Sequence, residues 1–238
     1  MAVGCVLPKS NDVRLTATLS IIWALTLKEL RIESRNRDVA IAIVMFASLV
    51  IAIFAIAIEP TSRNAIETGP GVLWAAITFA GVVGLTRATS HELENDAVGA
   101  LMMAPVSRDL LFIGKSLGNF LFLSVATVIV FVVFTFMFNL PVFRAEILLV
   151  ALLSTIGFSS VGTLFSSLTF RVRAREVLLP MLFLPSVSPL LFAAIRVTAA
   201  AASGESWSAS IPWLQLAVAY DVVFVTASAL LFGYVLDD

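Results

Sequence analysis

Long apolar runs separated by short polar connections dominate the pattern of the chain. A helix needs about 20 apolar residues to cross a hydrocarbon layer about 30 Å thick, and in lipid the backbone must bond within its own segment. Residues 39–58 meet that length with no charge after Asp38. Comparable runs cover 71–90, 117–140, 147–170, 177–195 and 212–236, the third closed by Asn139 and Pro141. The pattern therefore predicts an all-α polytopic membrane protein with six transmembrane helices. Composition agrees: 60% of residues are hydrophobic and 13% charged, against about 25% charged in a soluble domain. Mean hydropathy is +1.02.

Net charge is −1 and gives no sign of nucleic-acid binding; the placement of charge is more informative. Lys9, Arg14, Lys28, Arg31, Arg35, Arg37, Arg87, Arg108, Lys115, Arg171, Arg173 and Arg175 fall on one side of the six-span topology. Only Arg63, Arg144 and Arg196 fall on the other. Because lysine and arginine are retained in cytoplasmic loops, both termini are expected in the cytoplasm, in a prokaryotic inner membrane.

Ahead of the first span, residues 16–37 read as an interfacial helix. Leu19, Ile22, Trp23, Leu27 and Leu30 recur at helical spacing, while Lys28, Arg31 and Arg35 form a basic stripe, the signature of a helix lying among lipid headgroups. Residues 1–15 form a leader, and 16–238 a single transmembrane domain. Between the second and third spans lies a cytoplasmic loop, 91–115. Thr89 and Glu92 have capping-box spacing, and Glu92, Glu94 and Asp96 would load the first turns of a new helix, where the dipole favours negative charge. Ala97, Leu101 and Met102 would face a partner or the membrane. Ala104-Pro105 would stop that helix, and Ser107 would cap the next.

Asp221 lies inside the sixth span, where an ionisable side chain calls for a partner or a function. Depending on where that span begins, it sits near the midplane or close enough to the outer surface for Arg196 to reach it. Pro180, Pro185 and Pro189 in the fifth span each remove a backbone donor and predict a kinked or broken helix. Residues 196–210 read as a re-entrant or surface segment, with Trp207 and Trp213 at the interface. Gly114-Lys115-Ser116 resembles the end of a phosphate-binding loop, but the first glycine of that motif would fall at Asp109. Nucleotide binding by this chain is therefore not expected. With one histidine, His91, and one cysteine, Cys5, no metal site or catalytic set is expected.

Several ordered segments resemble the CcmB family of haem exporter proteins, which serve cytochrome c maturation. They are Lys28-Glu29-Leu30-Arg31, Gly71-Val72-Leu73-Trp74, Glu92-Leu93-Glu94-Asn95-Asp96-Ala97, Ala104-Pro105-Val106-Ser107-Arg108, Gly114-Lys115, Asn119-Phe120-Leu121, Asp221-Val222-Val223-Phe224 and the closing run from Phe232 to Asp238. The resemblance covers roughly residues 26–238. It implies an ABC-2-type exporter-like permease that is not itself an enzyme, with ATP bound by a separate CcmA-like subunit. It further implies CcmC-like and CcmD-like membrane subunits, a CcmE-like haem chaperone, a pair of copies of this chain, and haem as the transported substrate. The loop residues Glu92, Glu94, Asp96, Ala97, Leu101, Met102 and Met103 would dock on the ATPase as a coupling helix. Asp221, Pro180, Pro185 and Pro189 would serve gating or translocation. Export of haem and release of a haem-loaded chaperone both remain open. So do an exporter of lipid, glycan or drug, an ion-coupled carrier using Asp221, and a scaffold.

Overall fold

The computed structural model describes residues 22–28, 37–58, 62–94, 107–140, 142–169, 172 and 174–237. They form a short helix at 22–28 followed by α1 (Arg37–Ile58), α2 (Ser62–Glu94), α3 (Arg108–Phe138), α4 (Ala145–Thr169), α5 (Arg175–Ala202) and α6 (Trp207–Asp237). No strand occurs among the described residues. All six long helices have the length and apolar composition to cross a membrane. Successive helices run antiparallel. At one end Arg108 Nη1 donates to the Gly233 carbonyl at 2.9 Å, and at the other Arg144 donates to the Ala201 carbonyl. The first of these is called the terminal end below, because α1 begins and α6 finishes there.

The bundle is built around α2 and α4, the two spans most enclosed by the others, although they are among the less apolar of the six. The most apolar, α1, is the most exposed. A core of Trp74, Phe131, Phe134, Phe158, Phe183, Leu179 and Leu190 fills the space between helices. Phe158 meets Phe183 edge-on at 5.6 Å, joining α4 to α5.

Hydroxyl groups supply the polar ties, as expected where neighbouring helices are no less apolar than lipid and association depends on close packing and hydrogen bonds. Trp74 Nε1 donates to Thr198 Oγ1 at 2.9 Å, and Asn119 Nδ2 donates to Thr163 Oγ1 at the same distance. Thr89 Oγ1 lies 2.9 Å from Ser166 Oγ.

Several expectations are corrected. Thr89 does not cap a new helix: its hydroxyl donates to the Leu85 carbonyl at 2.7 Å, and α2 runs on without a break to Glu94. No glycine or proline between Arg87 and Glu94 stops it. Residues 95–106, where the rest of the acidic helix is expected, lie outside the described residues. Ser107 does stand at the N-cap of α3, in extended conformation, but its side chain makes no capping bond; its carbonyl accepts from Leu110 and Leu111 instead. Asn139 closes α3 in the left-handed region (φ 51°), as the residue type favours.

The fifth span is not broken. Pro180, Pro185 and Pro189 lie within an uninterrupted α5. The Pro185 carbonyl, deprived of its usual donor by Pro189, accepts from Ser188 Oγ at 2.8 Å. A serine hydroxyl thus replaces the missing amide. Beyond Arg196 the small residues to Ala202 continue the helix, and a turn with Gly204 at φ +74° leads straight into α6 at Trp207. The re-entrant outer segment is therefore replaced by a tight turn.

Candidate functional site in the membrane interior

A buried carboxylate, Asp221, lies where α4, α5 and α6 meet. Asp221 stands fourteen residues from Trp207 and sixteen from Asp237, at the middle of α6. Gly157 stands twelve residues from either end of α4. Both positions therefore stand at the centres of their helices.

Gly157 permits the three-helix contact. A Cβ at that position would lie 2.5 Å from Leu190 Cδ2 on α5, 2.7 Å from Asp221 Oδ1 and 3.1 Å from Tyr220 Cε1 on α6. No residue with a side chain fits without moving a neighbour. Tyr220 fastens the same place by donating from its hydroxyl to the Ser186 carbonyl at 3.0 Å, beside Pro185, and by stacking on Phe224 at 4.2 Å.

Asp221 is 7% exposed, and neither carboxylate oxygen has a hydrogen-bond partner among the described residues. Ser154, one turn along α4 from Gly157, and Ser228, two turns along α6 from Asp221, are also buried with unpartnered hydroxyls. Buried polar groups are nearly always bonded, so the unsatisfied carboxylate stands out at this close-packed junction. Arg196 is not the missing partner. Its guanidinium lies over the rings of Phe192 (5.2 Å) and Trp213 (5.7 Å), and Trp213 is about 12 Å along α6 from Asp221.

The other predicted residues are dispersed. Pro185 adjoins the Tyr220 contact, whereas Pro180 lies near the start of α5. Glu92 and Glu94 belong to the final turn of α2; Asp96, Ala97, Leu101, Met102 and Met103 lie outside the described residues. Trp23 and Lys28 belong to the short helix 22–28, with Trp23 exposed, while Arg31 and Arg35 lie outside the described residues.

Sequence reasoning misses Gly157, Ser154 and Tyr220. The only available signal is the small-residue character of Gly157-Phe158-Ser159-Ser160-Val161-Gly162.

The family model described as CcmB protein matches residues 20–236. Heme exporter protein B of Pseudomonas aeruginosa is 29% identical over 181 residues, covering 76% of this chain and 81% of the relative. The proteins of the same name from Haemophilus influenzae and Rhodobacter capsulatus are each 24% identical, over 175 and 160 residues. They cover 73% and 67% of this chain, and 79% and 73% of their own lengths. With a family match running from ahead of the first long helix almost to the end of the last, this chain belongs to the CcmB protein family.

Proposed function

We propose that the chain is the membrane-spanning, non-catalytic permease component of an ATP-binding-cassette complex serving haem export in cytochrome c biogenesis. The observation that carries this reading is the family match over 20–236, joined to relatives that bear the name heme exporter protein B. Six membrane-length helices supply the body of a permease.

In this reading ATP is bound by a CcmA-like partner. The acidic end of α2 and the loop that follows, Glu92 to Met103, form the docking surface. The arginine-rich terminal end faces the cytoplasm of a prokaryotic inner membrane. A pair of copies acts with CcmC-like and CcmD-like subunits and a CcmE-like chaperone. ATP-driven closure of the partner displaces the loop, and α5 and α6 reorient toward the outer side about their junction with α4 at Gly157 and Asp221.

Pull-down of the tagged chain from native membranes tests the reading: a small ATPase with a phosphate-binding loop is expected to co-purify, and strains lacking the chain are expected to lose c-type cytochromes. Charge reversal by Glu92→Lys with Glu94→Lys is expected to release the ATPase. Unchanged co-purification and turnover would sink the docking assignment.

A further inference from the structure

A second, smaller core sits apart from the main one at the terminal end of the bundle. Leu111 and Phe112 of α3 and Phe232 of α6 are buried together, with Leu25 of the 22–28 helix and Ala229 packed against them. The rings of Phe112 and Phe232 lie 5.3 Å apart at 55°. Leu25 rests directly on Gly114, where a side chain would meet its Cβ at 2.7 Å. Thr26 Oγ1 donates to the Ile22 carbonyl at 2.9 Å and lies 3.5 Å from the Gly114 carbonyl. Arg108, the first residue of α3, reaches past this cluster to the Gly233 carbonyl of α6 at 2.9 Å.

The position of these contacts along the chain is informative. Arg108 immediately follows the N-cap at Ser107 and so stands where the loop after α2 rejoins the bundle. Gly233 lies in the closing turns of α6, where a cation is also favoured by the helix dipole. Asp221 is twelve residues further up the same helix, about 18 Å away. A hydrogen bond from a charged donor and a buried aromatic pair therefore join the end of the loop to the helix that carries the interior carboxylate. The main core between α3 and α6 is thinner, since α6 packs chiefly on α4 and α5.

We infer that Arg108, with Phe112 and Phe232, is the mechanical link that passes loop displacement into α6, so that the terminal ends of α3 and α6 move as one body during transport. The inference rests on the reading of 92–103 as the ATPase docking surface. Arg108 is a positioning residue here: it touches neither nucleotide nor cargo, and acts by holding α6 to α3.

Two experiments on the assembled complex test the link. In Arg108→Gln, ATPase co-purification and ATP hydrolysis are expected to persist while c-type cytochrome formed per ATP hydrolysed falls roughly tenfold, the weight of one charge-assisted hydrogen bond. Arg108→Lys is expected to restore part of the loss. An unchanged ratio overturns the link, and loss of the ATPase from Arg108→Gln also overturns it, by assigning Arg108 to the docking surface. In a Cys5→Ser background, Phe112→Cys and Phe232→Cys joined by a short bis-maleimide are expected to retain coupled output. If joining them stops transport while the ATPase stays bound, the two ends must separate and the inference is wrong. The docking reading fails by a different measurement, ATPase retention by the protein carrying Glu92→Lys and Glu94→Lys.

Discussion

Replacing Asp221 by asparagine separates a structural carboxylate from one kept at a cost to stability. The side chain is 7% exposed, and both oxygens lack partners among the described residues. A buried polar group left unpaired costs about 1–3 kcal/mol, and more when it is ionised. The amide has nearly the same shape, so it fits beside Gly157, and it removes the charge. The amide is left unpaired as well, so only the added cost of the charge is recovered: if the carboxylate is a functional group held in an unfavourable place, Asp221→Asn gains on the order of 1 kcal/mol. For a chain of this size each kcal/mol is worth about 2–4 °C in Tm. The purified complex, followed by fluorescence-detected gel filtration after heating, is therefore expected to melt about 2–4 °C higher. Cytochrome c formation in cells is expected to fall roughly tenfold, the usual exchange of stability against activity at strained sites. A lower Tm in Asp221→Asn would refute the reasoning, because it would show the carboxylate to be a structural tie. Undiminished output would remove Asp221 from the moving machinery.

The remaining predictions use the same stability assay. Gly157→Val drives a branched side chain into Leu190, Asp221 and Tyr220 and is expected to cost about 1–3 kcal/mol by overpacking. Ser154→Ala removes a buried hydroxyl that has no partner, so the change is expected to be neutral or to stabilise by about 1 kcal/mol; a clear loss would reveal a bond to this hydroxyl. Trp74→Phe deletes the donor to Thr198 Oγ1 in the main core and is expected to cost about 2 kcal/mol from the lost bond and the gap together. Asn119→Ala breaks the tie to Thr163, with an expected loss of about 0.6 kcal/mol, the mean for hydrogen bonds between membrane helices, and no more than about 1.7 kcal/mol.

What can be read from the sequence divides along physical lines. Membrane helices are legible because the hydrocarbon sets a length, and runs such as 39–58 and 147–170 answer to it directly. Asp221 is legible for the related reason that a carboxylate is conspicuous in an apolar run. Which faces meet is not legible, because lipid and protein interior select the same side chains: exposed Phe136 and buried Phe134 are indistinguishable in sequence. Small and hydroxyl side chains hold a usable clue, since α2 and α4, rich in Ser, Thr and Gly, are the enclosed helices. Local rules mislead at Thr89 and in α5. A capping pattern does not stop a helix that has no breaker, and Pro189 does not break one in which the freed Pro185 carbonyl finds a serine hydroxyl. Arg108 is visible in the sequence only as a charge, and its contact with Gly233 depends on two residues far apart in the chain.

The central placement of Gly157 gives α4 the geometry of a balanced lever. With twelve residues on either side, each arm is about 18 Å long. The tight glycine contact with α5 and α6 falls at the fulcrum, where rotation displaces atoms least. A tilt of about 10° there would shift both ends by about 3 Å in opposite directions. One face of the membrane would widen as the other narrows, while the glycine contact remained closed.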